Sequence, residues 1–125
     1  MTGRAIAASW PYCRNMIRVF TAADIAVNQQ PLPEDQLITP GVTAGEAEVD
    51  AIGHLEVGVW EHSVGSSTAV EIDEVFVIIS GRGRITDSAG NVVELAPGVV
   101  GVLPAGTETT WEVTEPIRKV WIVAG

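Results

Sequence analysis

The chain contains a single cysteine, Cys13, in 125 residues. One thiol cannot form an intrachain disulfide, and this fits a reducing compartment. We therefore predict a cytoplasmic location. No His–Asn or His–Asp framework is readable around Cys13, so we expect it to be a bystander rather than a nucleophile.

Long hydrophobic runs are missing, and basic residues are few. No stretch of about 18 apolar residues is present, so no transmembrane helix is predicted. The apolar run after Arg4 is too short for a secretion signal. Seven basic residues stand against 16 acidic ones, and the formal net charge is −9. An acidic surface repels phosphate groups, so we predict neither nucleic acid nor a membrane as a partner.

Turn-forming residues are plentiful, with 13 glycines and 7 prolines. They favour many short strands over long helices. From Leu55 onwards, strand patterns recur between turn residues, as is typical of an antiparallel sandwich or barrel. The predicted strands are residues 55–62, 74–80, a strand starting at Gly81 after a tight turn, 91–95, 99–103, 109–113 and 120–123. The sequence therefore predicts an all-β protein.

The first half of the chain is harder to interpret. We expect a short strand at residues 17–20, a helical turn with Thr21 as its N-cap, a loop at residues 29–36 and a surface segment at 43–50. The length fits one domain. We assign it to residues 17–125, with residues 1–16 as an N-terminal extension or an extra strand.

Two motifs resemble a known family. Glu74 is followed by six residues and Gly81, and Gly98 is followed by five residues, Pro104 and Gly106. They are similar to parts of the two cupin motifs, Gly-x5-His-x-His-x3,4-Glu-x6-Gly and Gly-x5-Pro-x-Gly-x2-His-x3-Asn. The chain resembles small single-domain cupins of an unknown-function subgroup, which is similar to ureidoglycine aminohydrolase and ethanolamine-utilisation cupins. The resemblance implies an RmlC-like fold, a double-stranded β-helix or jelly-roll barrel.

The histidines that the resemblance implies as metal ligands are absent. Of the usual set of three histidines and one glutamate, only Glu74 is present. The histidine positions fall on Thr109 and, depending on register, on Thr68 and Val70 or Ser67 and Ala69. Open transition-metal sites need about three protein ligands, so we expect no metal cofactor.

A rearranged metal site stays open as an alternative. The chain has two histidines, His54 and His62. If the face with Trp60 points into the barrel, His62 could join Glu71 and Glu74. Otherwise Glu74 accepts hydrogen bonds from Thr109 or an indole N–H, and His62 lies at a strand end in water.

A pocket around Glu74 is the candidate site. Strand alternation puts Phe76 on the face of Glu74, and Trp111 on the face of Thr109. We take Glu74 as the candidate catalytic group, and as ligand-binding residues Trp60, His62, Phe76, Thr109 and Trp111. A carboxylate among indoles favours a cationic or amino-bearing ligand. The alternative is that these aromatic side chains simply fill the barrel.

Three functions remain open from the sequence. The first is a metal-free cupin that binds a small polar metabolite, amino- and ureido-bearing molecules included, with or without a reaction. The second is a metal-dependent C–N hydrolase with a rearranged site. The third is a non-catalytic structural or accessory protein. The resemblance to cupins also implies a homodimer. The apolar outer face of Val75, Val77 and Ile79 could pack in the dimer contact or against the second sheet of the same chain.

Overall fold

The structure is a computed structural model that describes residues 16–125. Cys13 and the predicted N-terminal extension, Met16 excepted, lie outside the described residues. The all-β prediction is confirmed, because eight antiparallel strands within the described residues form one connected sheet. The strands are β1 (Gln30–Pro31), β2 (Thr43–Ile52), β3 (Leu55–His62), β4 (Gly65–Val70), β5 (Glu74–Asp87), β6 (Val92–Leu95), β7 (Val100–Leu103) and β8 (Glu108–Ala124).

The long strands β5 and β8 form the spine of the jelly roll. They pair with each other from Glu74 opposite Val123 to Asp87 opposite Thr109. The first part of β8 also pairs with β4, and the last part pairs with β3. In the same way β5 pairs first with β7 and then with β6. Each long strand therefore takes part in both sides of the barrel.

The bend between the two sides lies at Gly81. The register of β5 against β8 shifts between Ile78 and Gly83, in a series of bulges. Gly81 has a φ of +94°, in the left-handed region, and a Cβ there would collide with the carbonyl oxygen of Pro116. Glycine meets both conditions at little cost. The residue expected to start a new strand after a tight turn instead bends one continuous strand.

The core lies between the two sides and is mostly apolar. It consists of Phe76, Ile78, Ile85, Leu95, Leu103, Trp111, Val113 and Ile117. The odd-numbered residues of β8 point inwards over most of its length. This alternation matters for the site, because it also turns Lys119 inwards, where it is only 4% exposed.

An arginine on the opposite face of β8 holds the N-terminal part of the described chain. The guanidinium of Arg118 donates to the carbonyl oxygens of Ala22 and Ile25, both at 2.8 Å. It also pairs with the carboxylate of Glu61 at 2.8 Å. The segment before β1 is thereby fixed to the outside of the sheet.

Several local predictions were wrong. Residues 17–20 form no strand, and residues 43–50 belong to β2, where Val49 and Asp50 are buried. The polar stretch at residues 63–68, which no predicted strand included, lies mostly in β4. Residues 109–113 and 120–123 are parts of the single strand β8.

The predictions for residues 21–24 and 29–36 agree in part with the structure. The 3-10 turn Ala22–Asp24 follows Thr21 as predicted, although the Thr21 side chain makes no capping bond. The predicted loop at residues 29–36 contains the two-residue strand β1, which pairs with β2, and a 3-10 turn, Glu34–Gln36. None of the helical turns in residues 16–125 is long and apolar enough to cross a membrane.

We expect the bend to make Gly81 far more sensitive to substitution than Gly98. Gly98 has a φ of +93°, but a Cβ there would meet nothing within 4 Å. Gly98→Ala should therefore cost only the left-handed conformation, about 1–2 kcal/mol. Gly81→Ala should add the collision and cost about 3 kcal/mol or more in total. Urea unfolding of both variants measures the difference, and equal losses would show that Pro116 can move aside.

Candidate functional site

The centre of the candidate site is the ammonium group of Lys119. Trp60 lies directly opposite Lys119 in the pairing of β3 with β8, so their side chains share the inner face. The Lys119 Nζ lies 4.5 Å from the ring centroid of Trp60, 4.8 Å from that of Trp111 and 5.1 Å from that of Phe76. Three aromatic faces at this range attract a cation.

Glu74 completes the surroundings of this ammonium. Its Oε2 lies 2.5 Å from Lys119 Nζ, and the two side chains are 11% and 5% exposed. The pair is therefore largely shielded from water. In such surroundings a charge without a partner would be very costly. The prediction that Glu74 bonds to Thr109 or an indole is wrong, since its partner is Lys119.

The bonds expected for Glu74 are made by Glu71 instead. Its Oε2 accepts a hydrogen bond from Thr109 Oγ1 at 2.6 Å and one from Trp111 Nε1 at 3.1 Å. These two bonds fix the indole of Trp111 against Lys119. Asp73, also nearby in sequence, accepts from the backbone N–H of Ala105 and contributes only to that loop.

His62 is the last residue of β3, as expected for a strand end, but it is buried and not in water. It is 1% exposed, and its ring nitrogens lie 2.6 Å from the carbonyl oxygen of Ser63 and 2.8 Å from Ser67 Oγ. Burial lowers the pKa of His62, and the Lys119 charge lowers it further, against the opposite effect of the Ser63 carbonyl. His62 is therefore uncharged at neutral pH.

A cavity of about 240 Å³ opens beside these groups. Its wall includes residues described above, namely Trp60, His62, Glu74, Trp111 and Lys119. It also includes Glu46, Thr68, Glu71 and Trp121. Among residues 16–125, the indole Nε1 of Trp121 is buried without a hydrogen-bond partner. Pockets for drug-sized ligands are about 300–1,000 Å³, so this cavity suits a smaller molecule.

A larger depression of about 550 Å³ lies at one edge of the barrel. It includes Thr109, but neither Glu74 nor Lys119. We favour the smaller cavity because its wall carries the buried charges.

The structure brings together four of the six predicted site residues. Glu74, Trp60, His62 and Trp111 line one cavity, whereas Phe76 and Thr109 do not. Phe76 takes part through its contact with Lys119, and Thr109 through its bond to Glu71. The roles of all six in binding or catalysis stay predictions.

Lys119 was missed by the sequence reasoning, although a signal was present. It lies between Ile117 and Trp121, in the same alternating series of β8 residues as Thr109 and Trp111, which point inwards. A charged residue among the mostly apolar residues that point inwards from β8 indicated a buried partner.

A metal of the kind implied by the cupin resemblance does not fit this donor set. Across the described part of the chain, no three His, Cys, Asp or Glu side chains are grouped to hold a metal ion. Glu74 is occupied by an ammonium, Glu71 by Thr109 and Trp111, and His62 by Ser63 and Ser67. The rearranged site of His62, Glu71 and Glu74 is not formed.

Comparison with known proteins shows the family. Residues 49–121 match the model of the EutQ-like cupin domain, so the chain belongs to that family. No curated protein matches in sequence.

Solved structures confirm the cupin fold. The EutQ protein of Clostridium difficile is 20% identical with a TM-score of 0.60, over 72% of this chain and 75% of that one. A protein of unknown function from Rhizobium leguminosarum is 20% identical with a TM-score of 0.65, over 85% and 94%. A third, also of unknown function, from Pseudomonas syringae pv. tomato, is 18% identical with a TM-score of 0.63, over 81% and 45%.

The buried histidine should make stability depend on pH. The pKa of His62 is lowered from its usual 6.5 by burial, so the unfolded chain binds the proton more readily than the folded one. The stability from keeping His62 neutral should be complete above pH 6.5 and be lost as the pH falls towards the folded-state pKa.

We therefore expect His62→Gln to flatten the pH dependence of the urea midpoint between about pH 5 and 7. His54→Gln is the matched control, since His54 is exposed. A slope that survives in His62→Gln would contradict this account.

Proposed function

We propose that this EutQ-like cupin binds a small polar metabolite in the 240 Å³ cavity beside Lys119, without a metal ion. The observation that carries the proposal is the set of polar atoms in the cavity wall that lack partners. The bonds of Glu71 and Glu74 within residues 16–125 all use Oε2, and the buried Nε1 of Trp121 has no partner there. The two Oε1 atoms are not among the buried atoms without a partner, so they are open to solvent and available to a ligand. A buried polar atom such as Trp121 Nε1 normally has a partner as well.

The charge of the wall indicates which ligands are favoured. Among the described residues of the wall, Glu46, Glu71 and Glu74 outnumber the one cation, Lys119, and His62 is neutral because burial lowers its pKa. An excess of carboxylates repels anions and favours neutral or amino-bearing molecules. The ammonium of Lys119 already fills the aromatic cage, so a bound amine or ureide would contact the carboxylates at the cavity wall instead.

The proposal predicts saturable stabilisation by small neutral or amino-bearing metabolites. Amines, ureides, sugars and aldehydes should be compared with carboxylic acids of the same size by thermal unfolding. A ligand at 100 times its Kd adds about 2.7 kcal/mol, enough to raise Tm by several degrees. Carboxylic acids should have little effect.

Glu71→Gln supplies the matched test. It keeps an oxygen to accept from Thr109 and Trp111 but removes the charge, and should weaken an amine hit about tenfold. Glu94→Gln, on the exposed part of β6, should change nothing. If no compound raises Tm, the barrel has a structural role instead.

We also propose that the protein is a homodimer through an exposed apolar face. Val75 lies between Val102 and Ile122 in the strand pairing, and the three are 39%, 72% and 37% exposed. Two copies with a net charge of −9 each repel one another, so an uncharged face favours their contact. Val77 and Ile79 of the predicted contact are already half-buried within the chain.

Val102→Glu should therefore shift the protein from dimer to monomer, as measured by light scattering across a concentration series. Val92→Glu, at a residue 52% exposed on β6, is the control and should leave the dimer intact. A monomeric wild type would end this proposal.

A further inference from the structure

Lys119 is the single lysine of the chain, whose other six basic residues are arginines. Lysine is therefore absent from the surface of the protein, where it is usually found. Its one copy lies at a buried position beside a cavity. An arginine could supply a fixed positive charge there as well. What lysine adds is a primary amine that can lose a proton and act as a nucleophile.

We propose that Lys119 forms an imine with small neutral aldehydes that enter the cavity. This inference rests on the proposed function, because it names the class of molecule that the same pocket takes. Three features support it: the amine lies in the cavity wall, a proton acceptor contacts it, and its surroundings match the charge of the product.

The proton acceptor is Glu74, whose Oε2 lies 2.5 Å from Nζ. Transfer of one proton from the ammonium to this carboxylate leaves a neutral amine and a neutral acid, which are easier to hold away from water than two charges. The Nζ lone pair then adds to the carbonyl carbon, and the carbonyl π electrons move to oxygen, which takes the proton from Glu74. A carbinolamine results.

Loss of water completes the step. One N–H proton passes to the carbinolamine hydroxyl, directly or through Glu74, the C–O bond breaks, and the nitrogen lone pair forms the C=N bond. In balance, one ammonium and one aldehyde give one protonated imine and one water. The imine keeps the single positive charge of the ammonium, so Glu74 and the faces of Trp60, Phe76 and Trp111 stabilise it as they stabilise Lys119.

The cavity wall favours aldehydes over 2-oxo acids. A 2-oxo acid brings a carboxylate close to Glu46, Glu71 and Glu74, and within residues 16–125 Lys119 is the one cation of the wall that offsets it. A neutral aldehyde of a few heavy atoms avoids this repulsion and fits a volume of about 240 Å³.

Reductive trapping tests the proposal with an internal standard. The protein is incubated with propionaldehyde and cyanoborohydride, and the propyl groups are located by peptide mass spectrometry. The α-amino group of the expressed chain is the one other primary amine, so its labelling gives the reference rate. We expect Lys119 to be labelled at least about tenfold faster in the folded protein, and this ratio to be lost in urea.

Variants test the role of Glu74 in the labelling, and a second probe tests the preference for neutral aldehydes. Glu74→Gln should lower the labelling ratio by about tenfold or more, since the proton acceptor is gone, whereas Glu94→Gln should keep it. Near-ultraviolet circular dichroism checks that each variant is folded. Glyoxylate, an anionic aldehyde, should give a lower ratio than propionaldehyde, and an equal ratio would refute the preference for neutral aldehydes.

Labelling at Lys119 no faster than at the α-amino group would overturn the imine. The proposed function would then stand or fall by its own measurement, because reversible stabilisation by a metabolite needs no covalent bond. Lys119→Arg completes the series, since it keeps the cation and should remove the fast label. The wild-type map decides the question even if this variant does not fold.

Discussion

The arrangement of the side chains in the interior of this protein depends on the contact between Lys119 and Glu74. Each group alone would be a charge taken out of water, and removing one partner of such a pair typically costs about 3–5 kcal/mol. Together, with three aromatic faces around the ammonium, they are a satisfied unit. Glu71 serves the same unit at a distance, because it holds Trp111 in place. The barrel is therefore organised around a cation that the chain supplies itself.

This arrangement changes the meaning of the glutamate that the chain shares with the cupin motif. Glu74 points inwards as the resemblance implies, and it still faces a positive charge. Here that charge is an ammonium on a neighbouring strand rather than a metal ion held by histidines. The chain lacks the histidines that would hold a metal ion, and the inward-pointing Lys119 supplies the positive charge that faces Glu74 instead.

The fold could be predicted from the sequence because glycines, prolines and alternating strands leave few other solutions. The motifs at Gly81, Gly98 and Pro104 placed the family correctly, although Gly81 makes a bend rather than a turn. Strands β2 and β4 were missed, because small and polar residues such as Ala44 and Ser67 conceal their burial.

The site was predicted only in part, for a physical reason. Alternation correctly placed Glu74, Phe76, Thr109 and Trp111 on inner faces. It says nothing about which inward groups meet across strands. Glu71 therefore makes the bonds expected for Glu74, and the actual partner of Glu74, Lys119, was not expected. Arg118 and Lys119 are adjacent in β8, and their side chains point to opposite faces of the strand. One holds the segment at Ala22 on the outside, and the other holds the cage within. The anchor of the outer segment and the amine of the inner cage therefore lie at consecutive residues of β8, on its two faces.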